Sequence, residues 1–338
     1  MEKYQKAEKI GEGTFAVVYK GTELATKRLV AIKKIKKNNK NQDGLDVPTI
    51  REIRCLKELK HTNIVDLIDV FAHKQNLNII MELMDSDLEA IIKNKSVVFN
   101  AGDVKSWLLM TLRGIYHCHR NFILHRDLKP NNLFIAGDGT LKLGDFGLAR
   151  DYGSCSKPMT SNVVTIWYRA PELLLGGQYY GPGVDIWAIG CIFAELLLRA
   201  PYLASDSNTD LGQLHTIFRA LGTPTEEDWP GFSDLPDKKG LEFQMYPRTP
   251  LQTLFTAAGN DALDLLESML VYDPVKRVSA YDALNHCYFR NSPLPTKPEK
   301  LPRNIIPVVE PSEKNLKRKA GDDDLNSANP KLARLLFV

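Results

Sequence analysis

The chain has 338 residues, of which 43% are apolar and 25% charged, an ordinary globular composition in a length that allows two lobes, each with its own apolar core. Its formal net charge of +3 is small for this length, which excludes a surface that coats nucleic acid and predicts no direct sequence-specific nucleic-acid partner. The five cysteines include no CxxC pair, so neither a disulfide framework nor a zinc site is indicated, and a reducing compartment is favoured.

Membrane insertion is not predicted either. The first six residues contain no apolar core that could serve as a signal peptide. The most apolar run, residues 187–198, is short and contains Glu195, so we expect a buried helix and no membrane partner.

Residues 4–84 are predicted to form a small, mostly β lobe. Apolar and polar residues alternate as in strands, and one helix is predicted over about residues 47–59. In this helix apolar residues recur every three positions from Ile50, and Pro48 lies near the start, where proline is tolerated. Residues 85–290 are predicted to form a larger helical lobe. Its helical patterns cover residues 104–120, 185–198, 210–221 and 262–270.

A hairpin is predicted inside the larger lobe. Residues 133–135 and 141–143 resemble short strands, and the Gly137–Gly139 segment is typical of the turn that closes a hairpin. Asn132 and Asp145 would then lie at the two roots of this hairpin. An amide and a carboxylate placed side by side could hold one Mg²⁺, which prefers hard oxygen ligands.

Asp127 precedes Asn132 by five residues and is therefore available to accept the proton of a substrate hydroxyl. This combination indicates phosphoryl transfer. Five segments then occur in the order found in protein kinases, which the chain resembles over about residues 4–290. They are Gly11–Val18, Val30–Lys33, His125–Asp127, Asp145–Gly147 and Ala170–Glu172.

Any one segment alone would be weak, because a glycine pair in a loop is more commonly just a turn. The ordered set implies an α+β, bilobal protein kinase fold. This fold has a small β-rich N-lobe with one main helix and a larger, mostly helical C-lobe. The resemblance also implies ATP and Mg²⁺ as cofactors, bound in the cleft between the lobes.

The resemblance places the ATP site on both lobes. Gly11 and Gly13 would let the backbone approach the phosphates, while Val18 and Ala31 would cover the adenine. The backbone of the crossing segment, residues 81–84, would contact the edge of the base. The implied set is Ile10, Gly11, Glu12, Gly13, Thr14, Phe15, Ala16, Val17, Val18, Ala31, Lys33, Met81, Glu82, Met84 and Phe134. In the family a third glycine usually stands at the position of Ala16 and a leucine at that of Phe134.

The implied catalytic residues act through charge. Lys33 would pair with Glu52 and face the α and β phosphates, whereas the alternative is two ordinary surface charges. Lys129 would neutralise charge on the transferred group, and Thr165 would tie Asp127 to Lys129. The implied catalytic set is Lys33, Glu52, Asp127, Lys129 and Thr165, with Asn132 and Asp145 as metal ligands.

Three arginines, Arg51, Arg126 and Arg150, each adjoin one of these segments, so the fold would bring like charges together. In the family a phosphorylated threonine offsets them. Thr160 matches its place, with Ser161 as the runner-up.

Residues 47–52 resemble the cyclin-contacting helix of cyclin-dependent kinases. Val47 and Ile50 form a second apolar edge of this helix, which would be exposed without a partner. Four further segments most resemble the kinase of transcription factor IIH, also the catalytic subunit of the CDK-activating kinase, in its fungal form. They are residues 87–89, 109–114, 121–125 and 129–132.

This resemblance implies a nuclear serine/threonine kinase with an H-type cyclin and a RING-finger assembly subunit, within transcription factor IIH. Its expected substrate is the C-terminal tail of RNA polymerase II, at serines followed by proline. Three alternatives stay open: a kinase that activates other cyclin-dependent kinases, a cell-cycle kinase acting on histone-like substrates, and a pseudokinase scaffold. The intact phosphoryl-transfer set argues against the scaffold.

Residues 291–338 are predicted to be a disordered tail, rich in proline and then charged. Its basic residues 317–319 could be part of a nuclear-import signal, although short basic runs are also common on solvated surfaces.

Overall fold

A computed structural model of the chain describes residues 3–13, 16–35, 46–73, 76–152, 166–238 and 240–303. Several predicted site residues lie outside the described residues, as does the tail from residue 304. These residues are Thr14, Phe15, Thr160, Ser161 and Thr165.

An antiparallel sheet of five strands forms most of the N-terminal lobe. In sheet order the strands are β1, β2, β3, β5 and β4. Their bounds are Tyr4–Glu12 (β1), Ala16–Glu23 (β2), Leu29–Ile35 (β3), Leu67–His73 (β4) and Asn76–Glu82 (β5). The strand that carries Lys33 therefore lies in the middle of the sheet, where neighbours on both sides hold it in register.

Helix α1, Val47–Glu58, follows the third strand as predicted. The Asp46 side chain caps its N-terminus by accepting a hydrogen bond from the backbone N–H of Thr49 at 3.2 Å, and Pro48 lies in the first turn. Its buried face contains Glu52, whereas Val47 and Ile50 are 56% and 50% exposed. The helix therefore presents its buried charge to the sheet and an apolar edge to solvent.

The C-terminal lobe is mainly helical. Its helices are α2 Leu88–Lys93, α3 Ala101–Arg120, α4 Pro171–Leu174, α5 Gly183–Leu198, α6 Asp210–Leu221, α7 Asn260–Met269 and α8 Ala280–Leu284. Helix α6 has the predicted bounds. Helix α3 begins three residues earlier than predicted, because Asn100 and Asp103 form a reciprocal capping box at its start.

Five short strands hold the loops of this lobe together. They are β6 Ser86–Asp87, β7 Ile123–Leu124, β8 Leu133–Ile135, β9 Leu141–Leu143 and β10 Arg150–Asp151. Strands β6, β8 and β9 form one small sheet, and β7 pairs with β10 in another.

The two-lobed α+β architecture is confirmed, and the buried apolar side chains of the described residues form two clusters that do not divide one to each lobe. The main cluster of buried apolar side chains runs from α1 residues such as Leu56, through Ile79 of β5, into the helices of the C-terminal lobe. A separate small cluster covers the outer face of the sheet around Val30 and Ile80. The main cluster thus joins the two lobes through apolar side chains of α1 and β5, whose removal from water favours the contact.

The described residues contain no helix that is both long and apolar enough to span a bilayer. Helix α5, which contains the most apolar run of the sequence, is instead buried within the C-terminal lobe.

Candidate active site

The predicted hairpin is present and brings two of the predicted metal ligands close together. Leu133 pairs with Leu143 at its base, and the backbone N–H of Gly144 donates to the carbonyl oxygen of Asn132 at 3.0 Å. Asp145 follows directly. Residues separated by a dozen positions in sequence are thus neighbours in space, as the strand pattern predicted.

The carboxylate of Asp127 lies next to this hairpin root. The side-chain nitrogen of Asn132 donates to the Asp127 carbonyl oxygen at 2.7 Å and to its Oδ2 at 3.0 Å. Lys129 Nζ is 3.1 Å from the same Oδ2. Both side-chain contacts engage Oδ2, and the other oxygen, Oδ1, could accept a substrate proton. All three residues are buried, so their geometry is held by packing as well as by hydrogen bonds.

The donor atoms at the hairpin root suit Mg²⁺. Because the Asn132 nitrogen is committed to Asp127, the amide oxygen is the atom that could ligate, and the Asp145 carboxylate is a second hard oxygen donor. The described residues contain no group of three His, Cys, Asp or Glu side chains that could hold a metal ion. A magnesium ion here would therefore complete its coordination with phosphate oxygens and water, as is usual for this metal.

Asp145 adopts a left-handed backbone conformation, with φ +56° and ψ 72°. For a residue with a side chain this conformation is uncommon and is concentrated at functional sites. The Asp145 Oδ1 also accepts a hydrogen bond from the N–H of Gly147 at 3.4 Å.

Lys33 and Glu52 form a buried ion pair, which excludes the alternative of two ordinary surface charges. Lys33 Nζ lies 2.7 and 2.8 Å from the two carboxylate oxygens of Glu52. Burial disfavours the charged lysine, but the negative charges of Glu52 and Asp145 outweigh this and raise the pKa of Lys33. Burial also raises the pKa of Glu52, against the effect of Lys33. We take the pair as ionised because both carboxylate oxygens contact the same nitrogen.

Burial raises the pKa of the Asp127 carboxyl above its usual 3.8, with Asp145 adding to the shift and Lys129 opposing it. Phosphoryl transfer needs the ionised form as a base, so activity should fall as the pH drops through this raised pKa. We therefore expect the acidic limb of the pH profile of kcat/KM to lie above pH 3.8, the usual value for aspartate. Initial rates with a peptide substrate would check this, with circular dichroism at each pH to establish that the fold is intact. A limb at or below the ordinary aspartate pKa would contradict the prediction.

The adenine end of the predicted site is apolar. Val18 on β2 and Ala31 on β3 are buried, and Ile10 on β1 is half-buried. Phe134 on β8 is also buried, and its ring lies against Gly144. A Cβ atom on Gly144 would be only 2.4 Å from the ring. The glycine before Asp145 thus leaves room for the unusual phenylalanine, a relationship that sequence reasoning missed.

A ligand could contact Glu82 of the crossing segment only through its backbone, because the side chain of Glu82 is already engaged. Its Oε1 accepts the N–H of Asp66 at 2.7 Å and pairs with Lys142 at 2.9 Å. The backbone N–H of Glu82 donates to the carbonyl of Asp66 at 3.2 Å. Of the backbone groups of Glu82, only the carbonyl could therefore contact a base. Met81 pairs with Ala31 in the sheet, and Met84 is half-buried after the strand ends.

The described residues of the glycine-rich segment lie at the end of β1 and the start of β2. Gly11 pairs with Val18 and Glu12 with Val17, and the N–H of Gly13 donates to the carbonyl of Ala16 at 2.9 Å. Ala16, which replaces the usual third glycine, is buried at the start of β2. The Glu12 side chain is exposed and pairs with Lys9.

Two of the predicted arginines, Arg126 and Arg150, lie close enough to the third, Arg51, to influence it. Burial lowers the pKa of Arg51, and the positive charges of Arg126 and Arg150 lower it further. Arg126 is held in place by hydrogen bonds from its guanidinium to the carbonyl of Leu148 at 2.8 Å and to the hydroxyl of Tyr180 at 2.7 Å. Tyr180 was not predicted to take part, and no local sequence signal connects it to this cluster.

Asp185 at the start of α5 orients the loop before Asp127. Its carboxylate accepts backbone N–H groups of His125 at 3.0 Å and Arg126 at 2.8 Å, and it contacts His119 at 2.9 Å. These bonds hold Arg126 in a left-handed conformation with φ +66°. Hydrogen bonds to Asp185 therefore restrain the backbone just before Asp127, the candidate base.

The end of the segment that follows the hairpin is anchored by Glu172 and Arg277. The two Arg277 terminal nitrogens donate to the Glu172 carboxylate at 2.8 and 3.1 Å, and both side chains are buried. This bidentate pair is structural, because it lies outside the cluster around Asp127.

Comparisons with known proteins agree with this geometry. Residues 4–289 match the protein kinase domain. The chain is 49% identical over 335 residues to serine/threonine-protein kinase crk1 of Schizosaccharomyces pombe, covering 99% of this chain and 97% of that protein. Identity to cyclin-dependent kinase 7 of Dictyostelium discoideum is 52% over 305 residues, covering 89% and 84% of the two chains.

Serine/threonine-protein kinase KIN28 of Saccharomyces cerevisiae is 50% identical over 301 residues, covering 88% of this chain and 97% of that protein. Among solved structures, a chain of the CAK complex from Chaetomium thermophilum bound to ATP-γ-S matches with a TM-score of 0.84 and 46% identity. The match covers 89% of this chain and 95% of that chain.

Proposed function

This chain belongs to the protein kinase family and is a cyclin-dependent serine/threonine kinase similar to cyclin-dependent kinase 7, and we propose that its substrate is the C-terminal tail of RNA polymerase II. In this proposal it transfers the γ-phosphate of ATP to serines followed by proline, during transcription initiation. The observation that supports transfer most directly is the contact of Asn132 and Lys129 with the carboxylate of Asp127.

The residues have separate tasks in the proposed reaction. Asp127 accepts the proton of the attacking serine hydroxyl through Oδ1, while Lys129 offsets charge on the transferred group. Lys33, held by Glu52, contacts the α and β phosphates. Mg²⁺, when bound by Asn132 and Asp145, supplies charge neutralisation for the phosphates. We also propose that Thr165, outside the described residues, supports Asp127 and Lys129.

Cyclin binding explains the exposed edge of α1. Val47 and Ile50 are half exposed on the same helix whose buried face carries Glu52. A partner that covers these side chains would hold the helix, and with it the Lys33–Glu52 pair, in place. We propose an H-type cyclin as this partner, with a RING-finger assembly subunit, in transcription factor IIH and in the nucleus. The resemblance to relatives and to the CAK chain supports this context.

A phosphate on Thr160 is the proposed anion for the arginine cluster. Burial lowers the pKa of Arg51, and the positive charges of Arg126 and Arg150 lower it further, so both repel Arg51. A phosphothreonine carries nearly two negative charges and three strong acceptors, which would turn this repulsion into a set of charge-assisted hydrogen bonds. The cluster thus supports activation by phosphorylation.

A second candidate function uses the same active site. The matching chain belongs to the CAK complex, which favours a kinase that phosphorylates other cyclin-dependent kinases. A pseudokinase scaffold is not supported, because the described part of the chain holds the lysine, the base and both candidate metal ligands in contact or side by side.

The purified complex with its cyclin should be tested on polymerase-tail repeat peptides beside an unphosphorylated cyclin-dependent kinase. We expect Mg²⁺-dependent transfer to the repeats, and a loss of kcat/KM of about tenfold or more when the proline after the serine is replaced by alanine. The alanine peptide is the matched control, because it differs only at the proline, the residue that has no backbone N–H. Transfer to the kinase alone would favour the second function, and no ATP turnover on either substrate would overturn both.

A further inference from the structure

Residues 291–303, expected to belong to a disordered tail, pack against the C-terminal lobe as an ordered segment, which we call the C-terminal strap. It includes a short 3-10 turn, Pro298–Lys300, and Leu301 is buried in the main apolar cluster. Prolines prevent helices and strands but not packing, which explains the difference from the prediction.

The first half of the strap is held by the start of α3. Lys105 is buried, and its ammonium donates to the carbonyl of Asn291 at 2.9 Å and lies 4.6 Å from the centre of the Tyr288 ring. The N–H of Thr296 donates to the carbonyl of Gly102 at 3.0 Å. Burying an ammonium group costs free energy unless the group is hydrogen-bonded, and the strap supplies such a hydrogen bond to Lys105 of this helix.

The second half of the strap covers the turn between β8 and β9. The carbonyl oxygen of Pro298 lies 1.8 Å from the position that a Cβ of Gly139 would occupy, and Gly139 has φ +88°. Arg303 donates a hydrogen bond to the carbonyl of Gly137. Glycine is therefore required in this turn both for its backbone conformation and for the approach of the strap.

The same hairpin also contacts the two residues that directly follow the crossing segment. The N–H of Asp85 donates to the carbonyl of Ile135 at 2.9 Å, and Ser86 of β6 pairs with Ile135 of β8. An Asp85 carboxylate oxygen lies 3.3 Å from where a Cβ of Gly137 would be. The hairpin therefore links the strap to the chain directly after the segment proposed to contact adenine.

We propose that the C-terminal strap is a positioning element of the nucleotide site. Its contacts with the β8–β9 turn restrain the hairpin. The hairpin in turn restrains the end of the crossing segment on one side and, at its roots, the backbone of Asn132 and Asp145. Pro298 and Arg303 are its positioning residues, since they touch the hairpin and act through it. This inference rests on the proposed function, because it requires that ATP binds in this cleft.

A strap that only seals the apolar core would affect stability and nothing else. A positioning strap instead predicts a change in KM for ATP, because small displacements of groups that hold a substrate are costly. Nucleotide affinity measured beside thermal stability therefore separates the two roles.

The test compares Gly139→Ala with Gly231→Ala in the full chain bound to its cyclin. Both glycines have positive φ, +88° and +82°, but nothing lies within 4 Å of a Cβ at Gly231. The backbone strain is thus matched, and only Gly139→Ala displaces the strap. We expect Gly139→Ala to raise KM for ATP about five- to tenfold at nearly unchanged kcat, and Gly231→Ala to leave KM within about twofold.

Equal KM values for both variants, with only melting temperatures lowered, would overturn the proposal.

If Gly139→Ala does not fold, Arg303→Ala provides the same test, because Arg303 lies at the exposed end of the strap. We expect this variant to raise KM for ATP by about twofold to threefold and Arg303→Lys, which keeps a donor, to restore part of the loss. No change in KM for Arg303→Ala would also count against the proposal. Wild-type turnover with Mg²⁺-ATP reports on the proposed function separately.

Discussion

Replacing Asp127 with asparagine is expected to lower kcat by about a thousandfold, the scale of a lost general base. The asparagine can still accept from Asn132 and occupies the same volume, so the loop keeps its shape while the proton acceptor is lost. KM for ATP should change by less than about threefold, because in the proposed reaction Asp127 contacts the hydroxyl substrate and not the nucleotide. Steady-state kinetics of the cyclin-bound kinase with a repeat peptide would measure both constants.

Asp264→Asn is a suitable control for this variant. Asp264 lies on α7, its side chain is 75% exposed, and its contact is His286, far in sequence from the catalytic segments. The same chemical change there should leave kcat within about twofold of the wild-type value, as surface substitutions usually do. If Asp127→Asn retained more than a tenth of the wild-type kcat, the assignment of Asp127 as the base would be wrong.

Lys33→Met is expected to produce the second large effect, on both catalysis and stability. The lost ammonium should lower kcat/KM for ATP by roughly a hundred- to a thousandfold, as when a single electrostatic contact to a reacting group is removed. Glu52 would remain buried without its partner, which costs on the order of 3–5 kcal/mol of unfolding free energy for a broken buried pair. Peptide kinetics and urea unfolding would measure the two effects.

Lys34→Met provides the matched control, because Lys34 is the next residue on β3 and its side chain points to the opposite face of the sheet. This variant makes the same chemical change on the same strand and leaves the Lys33–Glu52 pair intact. We expect unfolding free energy within about 1 kcal/mol of wild type and near-normal turnover. Similar losses in the two variants would show that the effect belongs to the strand and not to the ion pair.

Protonation of Glu52 should partly rescue the stability of Lys33→Met. Burial raises the pKa of this carboxyl, and removal of the lysine takes away the contribution that lowers it. A group with a raised pKa in the folded state stabilises the fold as the pH falls, so the stability gap to wild type should narrow under acidic conditions.

Local patterns were sufficient to predict several parts of the site. The strand and turn pattern of residues 133–143 predicted the hairpin, and the hairpin places Asn132 beside Asp145. The bounds of α6 were predicted without error. These features depend on residues close in sequence, and the local residue pattern determines their conformation.

Other features depend on contacts between distant segments. The strap differed from the prediction because its order comes from Lys105 and from the β8–β9 turn, more than a hundred residues away. The continuous core and the role of Tyr180 in holding Arg126 have the same origin.

The sequence by itself determined the family, the order of the catalytic segments and the residue types available for phosphoryl transfer. Only the tertiary structure decided that Tyr180 holds Arg126, and that Gly139 must lack a side chain to admit the strap. The physical reason is that burial and close approach depend on which surfaces the folded chain brings together, and no single segment carries that information.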